Sequence, residues 1–206
     1  MKYRALVPVK SLKMAKSRLA PYVSQIQREI LVLDMLHHVL CVLLDSELFE
    51  RVSVVSADDR VLEQAEKWGA QSLIEEQHGH NQALHTAALR VKADGVTALL
   101  TISADLPLLS IQETRSLLEQ SVRHDIVLAA SRDGTGTNAI LVRPPLALPY
   151  LFGPDSLHRY TKAARQRHLS HRIYHSVGTS FDVDTIDDLH ELEILNKGTK
   201  EIIYGC

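Results

Sequence analysis

The run Val96-Thr-Ala-Leu-Leu-Thr-Ile102, followed at once by Ser103-Ala-Asp105-Leu-Pro107, decides how this 206-residue chain folds. It is the most strand-like stretch in the sequence. It is an apolar run rather than a clean polar alternation, as expected of a strand buried on both faces of a helix-covered parallel sheet. The aspartate placed directly after it falls at the carboxyl edge of that sheet, where α/β folds bind ligands.

Working outward, the same kind of short apolar run recurs at Arg4–Val9, Arg51–Ser56 and Gln71–Ile74. Helical patterns lie between these runs. Ser24 opens a helix to about Leu44, with Ile26, Ile30, Leu33, Leu40 and Leu44 at three- and four-residue steps. Asp58 or Asp59 caps a second helix that Gly69 stops. A loop at His78-Gly79-His80 leads into a helix from Asn81 to Ala93, and Asp94-Gly95 is a turn. Downstream, a helix from Ser110 precedes strands at Asp125–Ala130 and Asn138–Val142. Ser156 caps a basic helix to about Arg167, Arg172–His175 is a strand, and Thr185 caps a last helix. This alternation predicts a single α/β domain over residues 1–206, with a mixed, mostly parallel sheet flanked by helices on both faces.

Composition bounds the function. Hydrophobic residues at 45%, charged residues at 23% and a net charge of -2 describe a globular domain and exclude a disordered tail. There is no global basic field for nucleic acid or an anionic membrane. The longest apolar stretch, Met35–Leu44, falls short of the roughly 20 residues that span a bilayer. The N-terminus carries no apolar run of signal-peptide length, and Cys41 and Cys206 form no disulfide framework, so the expected compartment is the cytoplasm.

Charge is unevenly placed. Residues 1–28 contain no acid but seven basic side chains. Within Pro8-Val-Lys10-Ser-Leu-Lys13-Met-Ala-Lys16-Ser-Arg18-Leu19, three lysines and an arginine follow the first strand. A solvated basic face is one reading. The other is a polyanion site, in which lysines supply point charge and arginine a bidentate fork for phosphate. Asp105, opposite such a loop, suits Mg2+. So does a carboxylate from Phe181-Asp182-Val-Asp184-Thr185. Only one of Asp182 and Asp184 is expected to face the site, and either serves. Thr185 and Asp188 form a capping pattern.

Two nucleotide motifs are excluded. No GxxxxGK[ST] occurs. Gly134-Thr-Gly136-Thr-Asn138-Ala139 matches a dinucleotide fingerprint in letters, but the residues after it read as a strand, not a phosphate-binding helix. His78, His80 and His85 are assigned no metal.

Taken together, PVKSLKMAKSRL, GHNQAL at Gly79–Leu84, ISADLPLL, GTGTNAILVRPP, FGPDSLHRY and FDVDTIDDL resemble the 2-phospho-L-lactate guanylyltransferase family within the nucleotidyltransferase superfamily of Rossmann-like α/β proteins. The segments span the chain in order. One departure is Ile186, where many superfamily members carry proline. The resemblance implies GTP plus 2-phospho-L-lactate giving lactyl-2-diphospho-5′-guanosine and pyrophosphate, with Mg2+, in coenzyme F-420 biosynthesis. Related enzymes use phosphoenolpyruvate or 3-phosphoglycerate; a sugar-phosphate or molybdopterin-type acceptor is a same-fold alternative, against which stands the absence of any glycine before Gly69. The family also implies a homodimer. Under this reading Lys10, Lys16 and Arg18 neutralise the triphosphate, and Asp105 with Asp184 or Asp182 holds the metal. Gly79, Asn81 and Ala83 shape the guanine pocket. Thr137, Asn138, Gly153 and Ser156 meet the acceptor.

Overall fold

The computed structural model describes residues 1–75, 79–92 and 95–198. His78, Ala93, Asp94 and Cys206, named above, lie outside the described residues. Seven strands form one sheet: β1 (Tyr3–Pro8), β2 (Arg51–Ser56), β3 (Gln71–Ile74), β4 (Ala98–Ile102), β5 (Ile126–Ala130), β6 (Thr137–Val142) and β7 (His171–Tyr174). Their order is β3-β2-β1-β4-β6-β5-β7. All neighbouring pairs are parallel except those made by β6, which runs antiparallel to β4 and to β5. The expectation of a mixed, mostly parallel sheet is met, with the reversal confined to one strand.

The apolar runs are continuous because both faces are buried. On β1, Ala5 and Val7 enter the larger core while Leu6 enters the opposite one. On β4, Leu100 and Leu99 divide in the same way. Helices α1 (Gln25–Asp45), α2 (Asp59–Lys67), α4 (Ile111–Gln120) and α7 (Ile186–Gly198) cover one face. Helices α3 (His80–Lys92) and α5 (Ser156–Gln166) cover the other, α3 over β1, β2 and β4, and α5 over β5 and β6. A one-turn helix, α6 (Val177–Ser180), follows β7. No helix among the described residues is long and apolar enough to cross a membrane.

Two helical readings are corrected. The buried face of α1 is Val32, Met35, Leu36, Val39, Leu40 and Leu43, whereas Ile26 and Ile30 are exposed. This helix is apolar on most sides, so periodicity alone picks a stripe rotated from the packed one. Ser156 is the first residue of α5 rather than its cap; the cap position is Asp155, in the left-handed region at φ 52°. By contrast, Ser24 and Ser110 close full capping boxes with Gln27 and Glu113.

The order of the strands places the site. β1 lies between β2 and β4, so the chain leaves the sheet centre in opposite directions after β1. The carboxyl ends of β1 and β4 flank the resulting crevice, the usual ligand position of an open α/β sheet.

Candidate active site

The loop after β1 is a pair of single 3-10 turns, Leu12–Met14 and Ser17–Leu19, with Lys16 between them. Lys16 adopts φ 51°, ψ 41°, a left-handed conformation uncommon for a side-chain-bearing residue. Anchors hold the loop on both sides. Asp58 accepts from the Leu12 backbone N–H at 2.9 Å and from the Ser11 hydroxyl at 3.1 Å. Arg28 donates to the Ala15 carbonyl at 3.1 Å. Leu12 and Leu19 are buried beneath. Arg28, beyond the basic run, thus fixes the loop backbone, and Lys13 is exposed.

The turn delivers Lys16 to the acids. Its ammonium lies 2.5 Å from Asp105 Oδ2 and 2.9 Å from Asp184 Oδ1, with the side chain only 8% exposed. Arg18, largely in solvent, approaches the other Asp184 oxygen at 3.6 Å. Burial pulls the Lys16 pKa down, but the two carboxylates outweigh it, and the ammonium is held above its ordinary value. The basic loop and the acidic strand ends therefore converge.

Asp182 and Asp184 both face the cleft, contrary to the expectation that only one would. Residues two apart in an extended stretch share a face, and here Phe181 and Val183 turn into the core while the two aspartates turn to the cleft. Asp182 accepts from Asn138 Nδ2 at 3.1 Å. Burial, then the neighbouring Asp105 charge, raise its pKa. Asp184 is set by Asp188, whose Oδ2 accepts from the Asp184 and Thr185 backbone N–H groups and the Thr185 hydroxyl. The Thr185–Asp188 cap is as expected.

These groups line a cleft of about 1170 Å³. Small-molecule sites run to roughly 300–1,000 Å³, so the cleft is large enough for a nucleoside triphosphate and a small second substrate. Lys10, Lys16, Arg18, Asp105, Thr137, Asn138, Gly153, Ser156, Asp182 and Asp184 all line it. The Thr137 hydroxyl is buried with no hydrogen-bond partner. It lies on the same wall as Gly153, at φ 121°, and the amino end of α5.

Three sequence-derived residues sit elsewhere. Gly79, Asn81 and Ala83 are not in the cleft wall. Asn81 donates to the Phe152 carbonyl at 3.0 Å and accepts from its N–H at 2.9 Å, so its amide is a clamp between α3 and the segment before α5. Ala83 is buried in the core. From that region His80 reaches the cleft, its ring edge-on to Phe152. Burial first, and Lys10 second, lower its pKa.

Sequence singles out Thr137 and Asn138 at the end of the β5–β6 hairpin but not Arg132 and Asp133 in its turn. Asp133 organises that turn, accepting from Ser131, Thr135 and Gly136. Arg132 pairs with Asp188 at 2.5 Å and Glu191 at 2.6 Å, and stacks over Phe181, tying the hairpin to α7. Its place directly after a buried strand, the position that singled out Asp105, was the available signal.

The donor set fits a hard divalent cation. Asp105 Oδ1 is buried and without a partner, and Asp182 and Asp184 stand on the same wall. Among the described residues no three metal-type side chains are gathered tightly enough to hold an ion alone. Magnesium does not require that, because it commonly takes one or two carboxylates and completes its shell with substrate phosphates and water.

Fold and cleft together define a nucleotidyltransferase. A model of the family described as "Guanylyl transferase CofC like" matches residues 3–204, and the chain belongs to that family. Phosphoenolpyruvate guanylyltransferase of Rubrobacter xylanophilus is 40% identical over 190 residues, 92% of either chain. 2-Phospho-L-lactate guanylyltransferase of Methanothermobacter thermautotrophicus is 35% identical over 199 residues, 97% of this chain and 87% of the relative. A solved structure from Desulfovibrio desulfuricans G20 shares the fold with a TM-score of 0.81 at 19% identity, covering 97% of this chain and 90% of that one.

Proposed function

We propose that the protein transfers GMP from GTP to the phosphate of a three-carbon phospho-acid, releasing pyrophosphate, as a step in coenzyme F-420 biosynthesis. The observation that carries this reading is the convergence of Lys16 with Asp105 and Asp184 in a cleft of nucleotide size. Phosphoenolpyruvate is the acceptor that similarity favours, because the 40% identical relative bears that name. 2-Phospho-L-lactate, the acceptor expected from sequence, is supported by the 35% identical relative. Homodimerisation and a cytoplasmic location belong to the same reading and rest on the family resemblance.

The chemistry needs little from a general base, because the attacking phosphate oxygen is already anionic at neutral pH. Positioning and charge neutralisation carry the rate. Lys10 and Arg18 neutralise the triphosphate and then the departing pyrophosphate. Asp105, with Asp182 and Asp184, would hold Mg2+, which supplies Lewis-acid polarisation of the reacting phosphates. Asn138 keeps the Asp182 carboxylate turned to that position. The Thr137 hydroxyl, with Gly153 and Ser156, receives the acceptor anion beside the positive end of the 11-residue α5; the Ser156 and Leu157 N–H groups are themselves engaged by the Gly153 and Thr135 carbonyls.

A pyrophosphate-release assay with GTP tests this reading directly. It compares phosphoenolpyruvate, 2-phospho-L-lactate and 3-phosphoglycerate, with ATP and CTP as nucleotide controls. Turnover with GTP and phosphoenolpyruvate above the other pairs is expected. Preference for 2-phospho-L-lactate or 3-phosphoglycerate reassigns the acceptor, and no turnover with any of the three removes the reaction.

A further inference from the structure

Three carboxylates around one cleft repel one another, and something must hold them together when no substrate is bound. Lys16 does so. Its ammonium sits between Asp105 and Asp184 at 2.5 and 2.9 Å, almost wholly buried. A left-handed backbone at that residue, fixed between two tight turns, carries the side chain there. Asp105 Oδ2 and Asp184 Oδ1 are thereby engaged, and the buried Asp105 Oδ1 is left without a partner.

We propose that Lys16 is a resident counter-ion at the metal position, which it vacates only when nucleotide phosphates offer it other oxygens. The inference rests on the metal-dependent nucleotidyl transfer argued above. A divalent cation binding alone would compete with the ammonium for the same carboxylates. It would also strand a buried charge beside a dication, an expensive arrangement. Bound together with a triphosphate, the cation releases Lys16 to the phosphate oxygens and leaves no charge unpaired. Metal and nucleotide therefore load as a unit, and the nucleotide-free protein resists the metal. The lysine is a positioning residue for the carboxylates in one state and a phosphate ligand in the other.

The test measures metal binding rather than turnover. Mn2+ is titrated into nucleotide-free protein, and the free aquo ion is followed by electron paramagnetic resonance in wild type, Lys16→Met and Asp105→Asn. Lys16→Met keeps the length of the side chain and removes its charge. It is expected to bind Mn2+ about tenfold or more tightly than wild type, because a like charge within a few ångströms has been deleted. Equal or weaker binding by Lys16→Met overturns the proposal. Asp105→Asn separates this failure from failure of the underlying reading: loss of Mn2+ binding there keeps the carboxylates as the metal site, whereas undiminished binding removes that site altogether.

A second measurement needs no variant. Wild-type Lys16 is acetylated with a small amine-reactive reagent and quantified by mass spectrometry, with and without Mn2+ and in the absence of nucleotide. Because the cation alone does not displace the ammonium from its carboxylates, Lys16 labelling is expected to stay unchanged, as for distant lysines. A several-fold rise in Lys16 labelling with Mn2+ alone overturns the proposal.

Discussion

Asn138 holds Asp182: its side-chain amide donates to the Asp182 carboxylate at 3.1 Å and also reaches the Thr179 and Ser180 carbonyls at 3.2 and 3.3 Å. The first residues of β6 thus set one cleft-facing carboxylate and the short helix preceding it. Asn138→Ala is expected to lower turnover roughly 10–100-fold, the usual cost of losing a ligand's supporting hydrogen bond, with a smaller change in the KM for GTP. Steady-state kinetics check the split; a change confined to the KM for GTP contradicts it.

Asp105→Asn removes one charge from the site while preserving shape. Pyrophosphate release is expected to fall at least about a hundredfold, comparable to losing a principal transition-state electrostatic contact. The melting temperature should stay near that of wild type. Turnover close to wild type in the folded variant rules out Asp105 as the main metal ligand.

Lys16→Ala is expected to weaken GTP use. A charge-assisted hydrogen bond contributes about 1.5–3 kcal/mol, so kcat/KM for GTP should drop roughly ten- to a hundredfold. Unchanged GTP dependence would leave the loop as an ordinary solvated face.

Asn81→Ala tests the clamp between α3 and Phe152. Loss of both hydrogen bonds is expected to destabilise the protein by about 1–3 kcal/mol in urea unfolding. It should also raise the KM for substrates, because Phe152 and Gly153 line the cleft. An effect on KM without loss of stability would instead place Asn81 in direct contact with substrate.

Asp188 gives the pH dependence. Burial opposes its ionised form, but the hydrogen bonds from Thr185 and Asp184, with Arg132 nearby, prevail and hold the pKa below the ordinary carboxylate range. The unfolded chain therefore binds a proton first as pH falls through about 4. The stabilisation is fully present above that value and is lost toward lower pH. Asp188→Asn is expected to be less stable at neutral pH and to lose less stability on acidification. Parallel stability–pH curves for the two proteins would contradict this.

The layered fold was legible because buried parallel strands advertise themselves as short apolar runs, and Asp105, Lys16 and Arg18 stood out as charges directly after such runs. Other features were hidden for physical reasons. Asp182 and Asp184 share a face because they stand two apart, with Phe181 and Val183 turned to the core; the one-turn α6 before them was hidden because Val177–Ser180 carries no helical periodicity. Asn81 looked like a base-pocket residue because an amide's partner, here the backbone of Phe152, is not written near it in sequence. The exposed Ile26 and Ile30 are a matter of which side of an evenly apolar helix meets the sheet.

The single reversed strand, β6, has an evolutionary corollary. Its first residues arrive at the same edge as the last residues of β1 and β4, so the two halves of the cleft are built by separate stretches of chain. Under the proposed reaction, changes at the head of α5 would retune which small acid is accepted without touching Lys16, Asp105 or Asp184, whereas the hairpin and β6 are tied to the carboxylates through Arg132 and Asn138. A common scaffold can in this way diversify its acceptor without reinventing its phosphate chemistry.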